Sequence, residues 1–142
     1  MRSVVHQIWP AARAGEEVTL FRSHRPDYAD GGQLRDFVYV KDCAQAAAWL
    51  LEASTVAGVF NLGTGQARSF KDLASATFAA ARQSPTIAYV DTPEAIRDRY
   101  QYFTQAQMSR LRSVGYEAPF MSLEAGVADY CATYLSQPDP YA

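Results

Sequence analysis

Two stretches of the chain concentrate side chains that could bind a ligand as well as pack. The first is Phe21-Arg22-Ser23-His24-Arg25, a cationic cluster closing a short apolar run, followed by the turn-forming residues Pro26 to Gly32 with Tyr28 as their one large side chain. The second is Glu94 to Phe103, where Arg97, Arg99, Tyr100 and Tyr102 fall close together. Guanidinium groups grip phosphate bidentately, and a phenol brings both an aromatic face and a hydroxyl. That chemistry suits an anionic, ring-bearing ligand. The same residues also suit solvated turns whose aromatics reach back to the core, and residue type alone leaves both readings open.

Gly63-Thr64-Gly65 invites a phosphate-loop reading and fails it. A dinucleotide loop needs a further glycine or alanine three positions on, where Arg68 stands, and an acidic residue at the next strand end, where Pro85 to Tyr89 stand. The glycines read as a tight turn. Two histidines and no CxxC argue against a dedicated metal site. Cys43 and Cys131, far apart in the chain, read as buried reduced thiols.

The elements that must position these groups are organised around residues 35 to 65. Phe37, Val38, Tyr39 and Val40 form an unbroken aromatic and β-branched run, which predicts a strand buried on both faces. Asp42 stands where an N-cap belongs, ahead of an alanine-rich helix. Ala44, Ala47, Ala48 and Leu51 give that helix one apolar face, and Ala46, Trp49 and Leu50 widen it almost all round, so it is expected to be sandwiched. Val59, Phe60 and Leu62, after Gly58, predict a second strand. Strand, helix, strand over about 30 residues is a parallel crossover, and the fold class is α/β.

Around that unit the local signals predict a helix over 3–14 stopped by Gly15 and a strand from Val18 to Phe21. Ser69 with Asp72 opens a helix running to about Arg82, and Ile87 to Val90 read as a strand between prolines. Thr104 is expected to cap a helix closed by Gly115. Ser122 is expected to cap a last helix whose Val127, Tyr130, Cys131 and Tyr134 lie at packing spacing.

The 142 residues are 49% hydrophobic and 20% charged, enough for one domain with a core. A net charge of -2 argues against a nucleic-acid partner, which would need a basic surface. No run is long and apolar enough to span a bilayer, and His6, Pro10 and Arg13 interrupt any signal-like segment. A cytoplasmic protein without a membrane partner is expected.

The strings RDFVYVKD, VFNLGTG and RYQYFTQAQM, with LRSVGYEAPF, resemble the C-terminal part of the ADP-glyceromanno-heptose 6-epimerase family, a group of bacterial extended short-chain dehydrogenases/reductases (SDRs). Many nucleotide-sugar epimerases and dehydratases share versions of the first two strings. The later ones, together with LFRSHRPDYADGGQLRDF, separate the heptose epimerases from galactose epimerases and glucose dehydratases.

The resemblance implies an α/β fold: the C-terminal part of an extended SDR, NAD(P)-binding and Rossmann-like. Within it, one βαβ crossover at about 36–62 joins a small α/β substrate-binding subdomain, the whole of 1–142 forming a single region. It further implies an NADP-dependent isomerase that converts ADP-D-glycero-D-manno-heptose to ADP-L-glycero-D-manno-heptose, a lipopolysaccharide inner-core precursor. The family's glycine-rich NADP loop, its catalytic Tyr-x-x-x-Lys pair and a second catalytic lysine are expected before Met1, so the chain alone is expected to be inactive, with NADP bound by the N-terminal part. Homo-oligomers are expected of the full length, with exposed Trp9 or Tyr141 at an interface. The alternatives are another nucleotide-sugar epimerase or dehydratase of the superfamily, or a non-catalytic nucleotide-sugar binding module.

Carried over position by position, the resemblance puts substrate contacts at Gln7 on the first helix, at Phe21, Arg22, Ser23 and His24, at Arg35 facing a diphosphate, and at Tyr100. Arg22 and His24 replace the Glu-Gly-Ser version of this loop in other members, which points to backbone rather than side-chain contacts there. Arg35 opens the central run beside a loop, where backbone geometry would preorganise its guanidinium. Its bland alternative is a salt bridge to Asp30 or Asp42.

Overall fold

The computed structural model describes residues 3–53 and 55–139. Ser3 accepts from the His6 amide at 3.1 Å and opens helix α1 (Val4–Ala14), which Gly15 closes in the left-handed conformation at φ 73°. The helix therefore carries its own cap. Pro10 sits inside it on the exposed side without ending it. The opposite side of α1 is apolar and carries Val5, Ile8, Trp9 and Ala12 into the core. Trp9 is thus not a free interface residue: it is 8% exposed and its indole donates to the Leu135 carbonyl at 3.2 Å. Tyr141, the other expected interface residue, lies outside the described residues.

Strand β1 (Val18–Phe21) pairs in parallel with a strand far along the chain, β4 (Ile87–Val90), in the register Val18 to Ile87 and Phe21 to Val90. A parallel pair needs a covered crossover, and helix α3 (Phe70–Ala80) supplies much of it. Ser69 and Asp72 form the expected capping box at its start, Ser69 accepting from the Asp72 amide at 3.0 Å and Asp72 from the Ser69 amide at 3.1 Å. Both sides of α3 are buried. Ala74 and Phe78 pack with Ile8, Ala12, Val18 and Leu20, while Leu73 and Ala76 pack with Val5, Trp9, Val127 and Cys131. Ser69→Ala is expected to cost about 1 kcal/mol and lower the melting temperature by about 3 °C, read by thermal denaturation.

The crossover expected over 36–62 is realised only in its helix. Strand β2 is confined to Leu34–Arg35, paired antiparallel with β3 (Arg68–Ser69), and helix α2 (Val40–Glu52) begins almost at once. Residues 36–39 and 59–62 form no strand, because apolar side chains do not make a strand without a neighbouring backbone to complete the ladder, and none pairs with them among the described residues. Nor is α2 sandwiched: only Asp42 and Ala46 are buried on it, while Leu51 is 87% exposed and Val59 beyond it 82%. The apolar face that the alanines widen stands open, and the helix with two covered faces is α3.

Asp42 is also not the N-cap. Tyr39 occupies that position without a side-chain bond, and the buried Asp42 carboxylate accepts from the Met121 amide at 2.9 Å, tying α2 to the segment before the last helix. The remaining helices are short: α4 (Glu94–Arg97), α5 (Ser109–Ser113) and α6 (Leu123–Tyr130), the last continuing as a π-helical turn, Cys131–Leu135. Ser122 caps α6 as expected, accepting from the Ala125 amide. Thr104 caps nothing; its amide donates to the Leu34 carbonyl, and α5 starts only after Met108. Cys43 and Cys131 are free, and burial pushes the Cys131 thiol up to about 12. Among the described residues, no helix is long and apolar enough to cross a membrane.

Candidate functional site

Three separate pieces of chain meet at Arg35. Strand β1 ends at Phe21, β2 ends at Arg35, and the strand-like segment 100–104 runs beside β2, with Leu34 donating its amide to the Tyr102 carbonyl at 2.8 Å and forming a parallel bridge to Phe103. This convergence puts a line of rings and cations on one surface. Phe21 meets Tyr100 edge-on at 5.8 Å, and Tyr100 meets Tyr102 edge-on at 5.9 Å. Tyr102 contacts Tyr28 at 5.1 Å, and Phe70 packs edge-on against Phe37 at 5.4 Å.

The Arg35 guanidinium lies over two of these rings, 5.5 Å from Tyr100 and 5.6 Å from Phe70. Its Nη1 donates to the Leu34 carbonyl at 2.7 Å and its Nη2 to the Gln101 carbonyl. Stacking and two carbonyl acceptors hold the fork still without cancelling its charge. Neither expected carboxylate reaches it. Asp30 is bound to the Ser23 amide and paired with Arg22, and Asp42 is turned to Met121. The neighbouring cations are paired with carboxylates of their own: Arg22 with Asp30 and Asp91 at 3.5 and 3.4 Å, Arg25 with Asp27 at 3.1 Å, and Arg68, opposite Arg35 in the ladder, with Asp72 and Glu124 at 3.2 and 2.7 Å. Among the described residues, Arg35 has no carboxylate within ion-pair distance.

Tyr100 therefore meets both Phe21 and Arg35, and Arg22 to His24 run on from Phe21 in the adjoining loop. Loop contacts at Ser23 and His24 run through both backbone and side chain, the Ser23 hydroxyl donating to the Arg25 carbonyl at 2.9 Å and accepting from the Arg25 amide at 3.1 Å. The Ser23 amide donates to Asp30 at 2.8 Å and the His24 amide to the Tyr102 hydroxyl at 2.8 Å, while the His24 Nε2 accepts from the Thr92 amide at 3.1 Å. Gln7 lies on the exposed side of α1. Burial raises the Tyr100 phenol, against the pull of Arg35, with Tyr102 adding to the rise, so at neutral pH it is an uncharged donor and acceptor.

Sequence reasoning missed the residue that holds this surface together. Asp36 follows Arg35 and accepts from the Thr64 amide at 2.8 Å, the Thr64 hydroxyl at 2.5 Å, the Gly65 amide at 2.9 Å and the Ala106 amide at 3.0 Å. Burial works to raise its carboxyl, and those donors outweigh it, leaving the group below its ordinary 3.8. The tight turn at Gly63-Thr64-Gly65 is a turn built around this carboxylate. A Cβ on Gly63 would lie 2.6 Å from Asp36 Oδ2 and from the Ala106 side chain, so only glycine allows the approach. An acidic residue inside an apolar run, matched by a turn whose amides need an acceptor, is the signal that could have found it.

A cavity of about 650 Å³ opens further along the same segment, between the start of α1, residues 36–40 and α6, lined chiefly by Val5, Phe37, Tyr39, Leu73, Val127 and Tyr130. It is largely apolar and lacks the cations, so the charged surface at Arg35 is the better recognition site. Phe37 and Ala67 stand four residues before Lys41 and Lys71, the chain's two lysines, so it carries no Tyr-x-x-x-Lys. The structure adds a different tyrosine–lysine group, in which the Tyr39 hydroxyl and the Lys41 ammonium both bind Asp129, at 2.5 and 2.6 Å. Burial and then that carboxylate push the Tyr39 phenol up, the opposite of what a base would need.

This α/β arrangement resembles the C-terminal part of epimerases of the extended SDR class: residues 1–63 match the NAD dependent epimerase/dehydratase family. More narrowly, the chain is 50% identical over 99% of its length to the ADP-L-glycero-D-manno-heptose-6-epimerase of Nitratidesulfovibrio vulgaris (strain DP4). Its structure superposes on the crystal structure of the Helicobacter pylori ADP-L-glycero-D-manno-heptose-6-epimerase with a TM-score of 0.73 and 31% identity, covering 94% of this chain. The Thermus thermophilus UDP-glucose 4-epimerase, solved in complex with NAD, matches with a TM-score of 0.68 and 26% identity over 87% of this chain. The chain spans 44% of the length of the first of these relatives and 38% and 37% of the two solved chains.

Proposed function

We propose that this chain is the substrate-recognition part of a nucleotide-sugar epimerase acting on ADP-heptose, in the direction ADP-D-glycero-D-manno-heptose to ADP-L-glycero-D-manno-heptose. The observation that carries the reading is Arg35: a guanidinium held between two rings by backbone acceptors, its charge unmatched by any carboxylate among the described residues. Such a group is preorganised for a diphosphate, and the phenol of Tyr100 beside it offers a face and a hydroxyl to a sugar or base. The expected contacts remain Gln7, Phe21, Arg22, Ser23, His24, Arg35 and Tyr100, with the loop members contributing backbone more than side chain.

The Gly63–Gly65 turn does not fit a nicotinamide cofactor. The Thr64 and Gly65 amides, the natural candidates to hold its diphosphate, already donate to Asp36. Accordingly NADP binding, the hydride chemistry it supplies and the acid–base pair are assigned to residues outside this chain, which alone is inactive. Assembly as a homo-oligomer, a cytoplasmic location and a role in lipopolysaccharide precursor synthesis belong to the same reading.

Calorimetric titration tests it. ADP and ADP-heptose should bind, and adenosine, which lacks the diphosphate, should bind at least about tenfold more weakly. Equal affinity for ADP and adenosine, or no binding of the ADP-linked sugar, would refute the reading. Binding without turnover by the protein as its gene encodes it, supplied with NADP, would favour a non-catalytic nucleotide-sugar module.

A further inference from the structure

Tyr102 stands outside the set of expected ligand contacts, yet it joins everything that surrounds them. It is 7% exposed. Its hydroxyl accepts from the His24 amide at 2.8 Å, its carbonyl accepts from the Leu34 amide at 2.8 Å, and its ring lies edge-on to Tyr100 at 5.9 Å. On its other side the ring meets Tyr28 at 5.1 Å and carries the Arg25 guanidinium over its face at 5.2 Å. One side chain thus touches the end of the cationic loop, its middle, and the phenol beside Arg35.

Packing alone does not call for that arrangement. A phenylalanine would fill the same space and keep the same ring contacts. What the hydroxyl adds is a single bond to a backbone amide in the loop, and that amide belongs to a residue already fixed at its far end, where His24 Nε2 accepts from the Thr92 amide. Thr92 is in turn buried, with its hydroxyl donating to the Arg22 carbonyl at 3.3 Å. Gln33, equally buried, donates from its amide group to the Phe21 and Arg22 carbonyls, each at 3.3 Å. The loop backbone from Phe21 to His24 is therefore pinned from several sides by side chains that do not themselves face outward. Tyr102 is the one among these that also touches Tyr100.

We propose that Tyr102 is a positioning residue for ligand recognition, its hydroxyl setting the height of the Ser23–Arg25 backbone and its ring setting the angle of Tyr100 against Arg35. The inference rests on the function proposed above and deepens it. Two jobs in one side chain are separable by substitution: Tyr102→Phe keeps the ring and removes the loop bond, while Tyr102→Leu removes both. In the protein as its gene encodes it, Tyr102→Phe should raise Kd for ADP-heptose about threefold to tenfold, the size of one lost neutral hydrogen bond, with the melting temperature moved by no more than about 3 °C. Tyr102→Leu should weaken binding by a further factor of about three to ten through the lost ring contacts, so that phenylalanine rescues part of the defect. Where turnover is measured, the loss should fall on KM rather than kcat.

An unchanged Kd in Tyr102→Phe, or a loss confined to kcat and stability, overturns the assignment. Should Tyr102→Leu fail to fold, Tyr102→Phe decides alone. Arg35→Ala run alongside separates the two levels of inference. If it too leaves binding untouched, the function proposed above falls; if it weakens binding while Tyr102→Phe does not, only the role of Tyr102 falls.

Discussion

Arg35→Ala is expected to weaken binding of ADP-heptose by about 1.5 to 3 kcal/mol, roughly tenfold to 150-fold in Kd, the size of a lost charge-assisted hydrogen bond. The physical reason is that little else changes. The native guanidinium is anchored by carbonyls of its own strand and of Gln101, and no carboxylate depends on it among the described residues. Removing it orphans no buried charge, so the stability loss is confined to the stacking on Tyr100 and Phe70, about 0.5 to 1 kcal/mol for each ring, and to the two hydrogen bonds to the Leu34 and Gln101 carbonyls. Binding and stability should therefore separate, which is how a recognition group differs from a structural one. Arg35→Lys is not a conservative control: an ammonium keeps the charge but loses the planar fork and most of the stacking, and should recover only a part of the affinity. Calorimetry with ADP-heptose and thermal denaturation on the same samples check both halves. A variant that binds as tightly as the wild type refutes the assignment.

What can be read ahead of the structure follows a physical divide. Gly15 at the end of α1, Ser69 with Asp72, Ser122, and the strands at 18–21 and 87–90 are legible because their signals lie within a few residues of the element they specify. The parallel pairing of β1 with β4 is not, since nothing local marks which distant strand completes a ladder. The same limit explains residues 36–40. Their side chains announce a strand, but a strand is defined by its neighbour, and the pattern of Phe37 to Val40 is silent about one. Asp42 shows the reverse error, a residue with the right type and place for a cap that spends its carboxylate on an amide 79 positions away.

The site divides likewise. The resemblance points to Arg35 and Tyr100, and the structure puts them 5.5 Å apart, with Phe21 edge-on to the latter. Their supports are invisible in the sequence because each acts across the chain: Tyr102 on His24 over 78 positions, Thr92 on His24 over 68. Tyr28 stands out in the sequence as its loop's one large side chain, but only the fold gives it a partner in Tyr102.

Asp36→Asn is expected to cost about 2 to 4 kcal/mol of stability. The carboxylate takes donors on both oxygens, Thr64 on one and the Gly65 and Ala106 amides on the other. An amide can present only one acceptor oxygen. Whichever way it turns, its NH₂ faces N–H groups that then have no acceptor. The damage should spread to binding, because Asp36 follows Arg35 directly and its bond to Ala106 ties that strand to the segment that carries Tyr100. The wild-type protein should also show an acid limb. Its folded carboxyl lies below the ordinary value of 3.8, so its stabilisation is complete above that pH and is lost as pH falls through the folded value. Asp36→Asn should lack this limb, and the stability difference between the two proteins should narrow as the medium is acidified from neutrality through pH 3.8. Urea denaturation at a series of pH values measures both. A difference that stays constant with pH would mean that the carboxylate is not what holds the turn against Ala106.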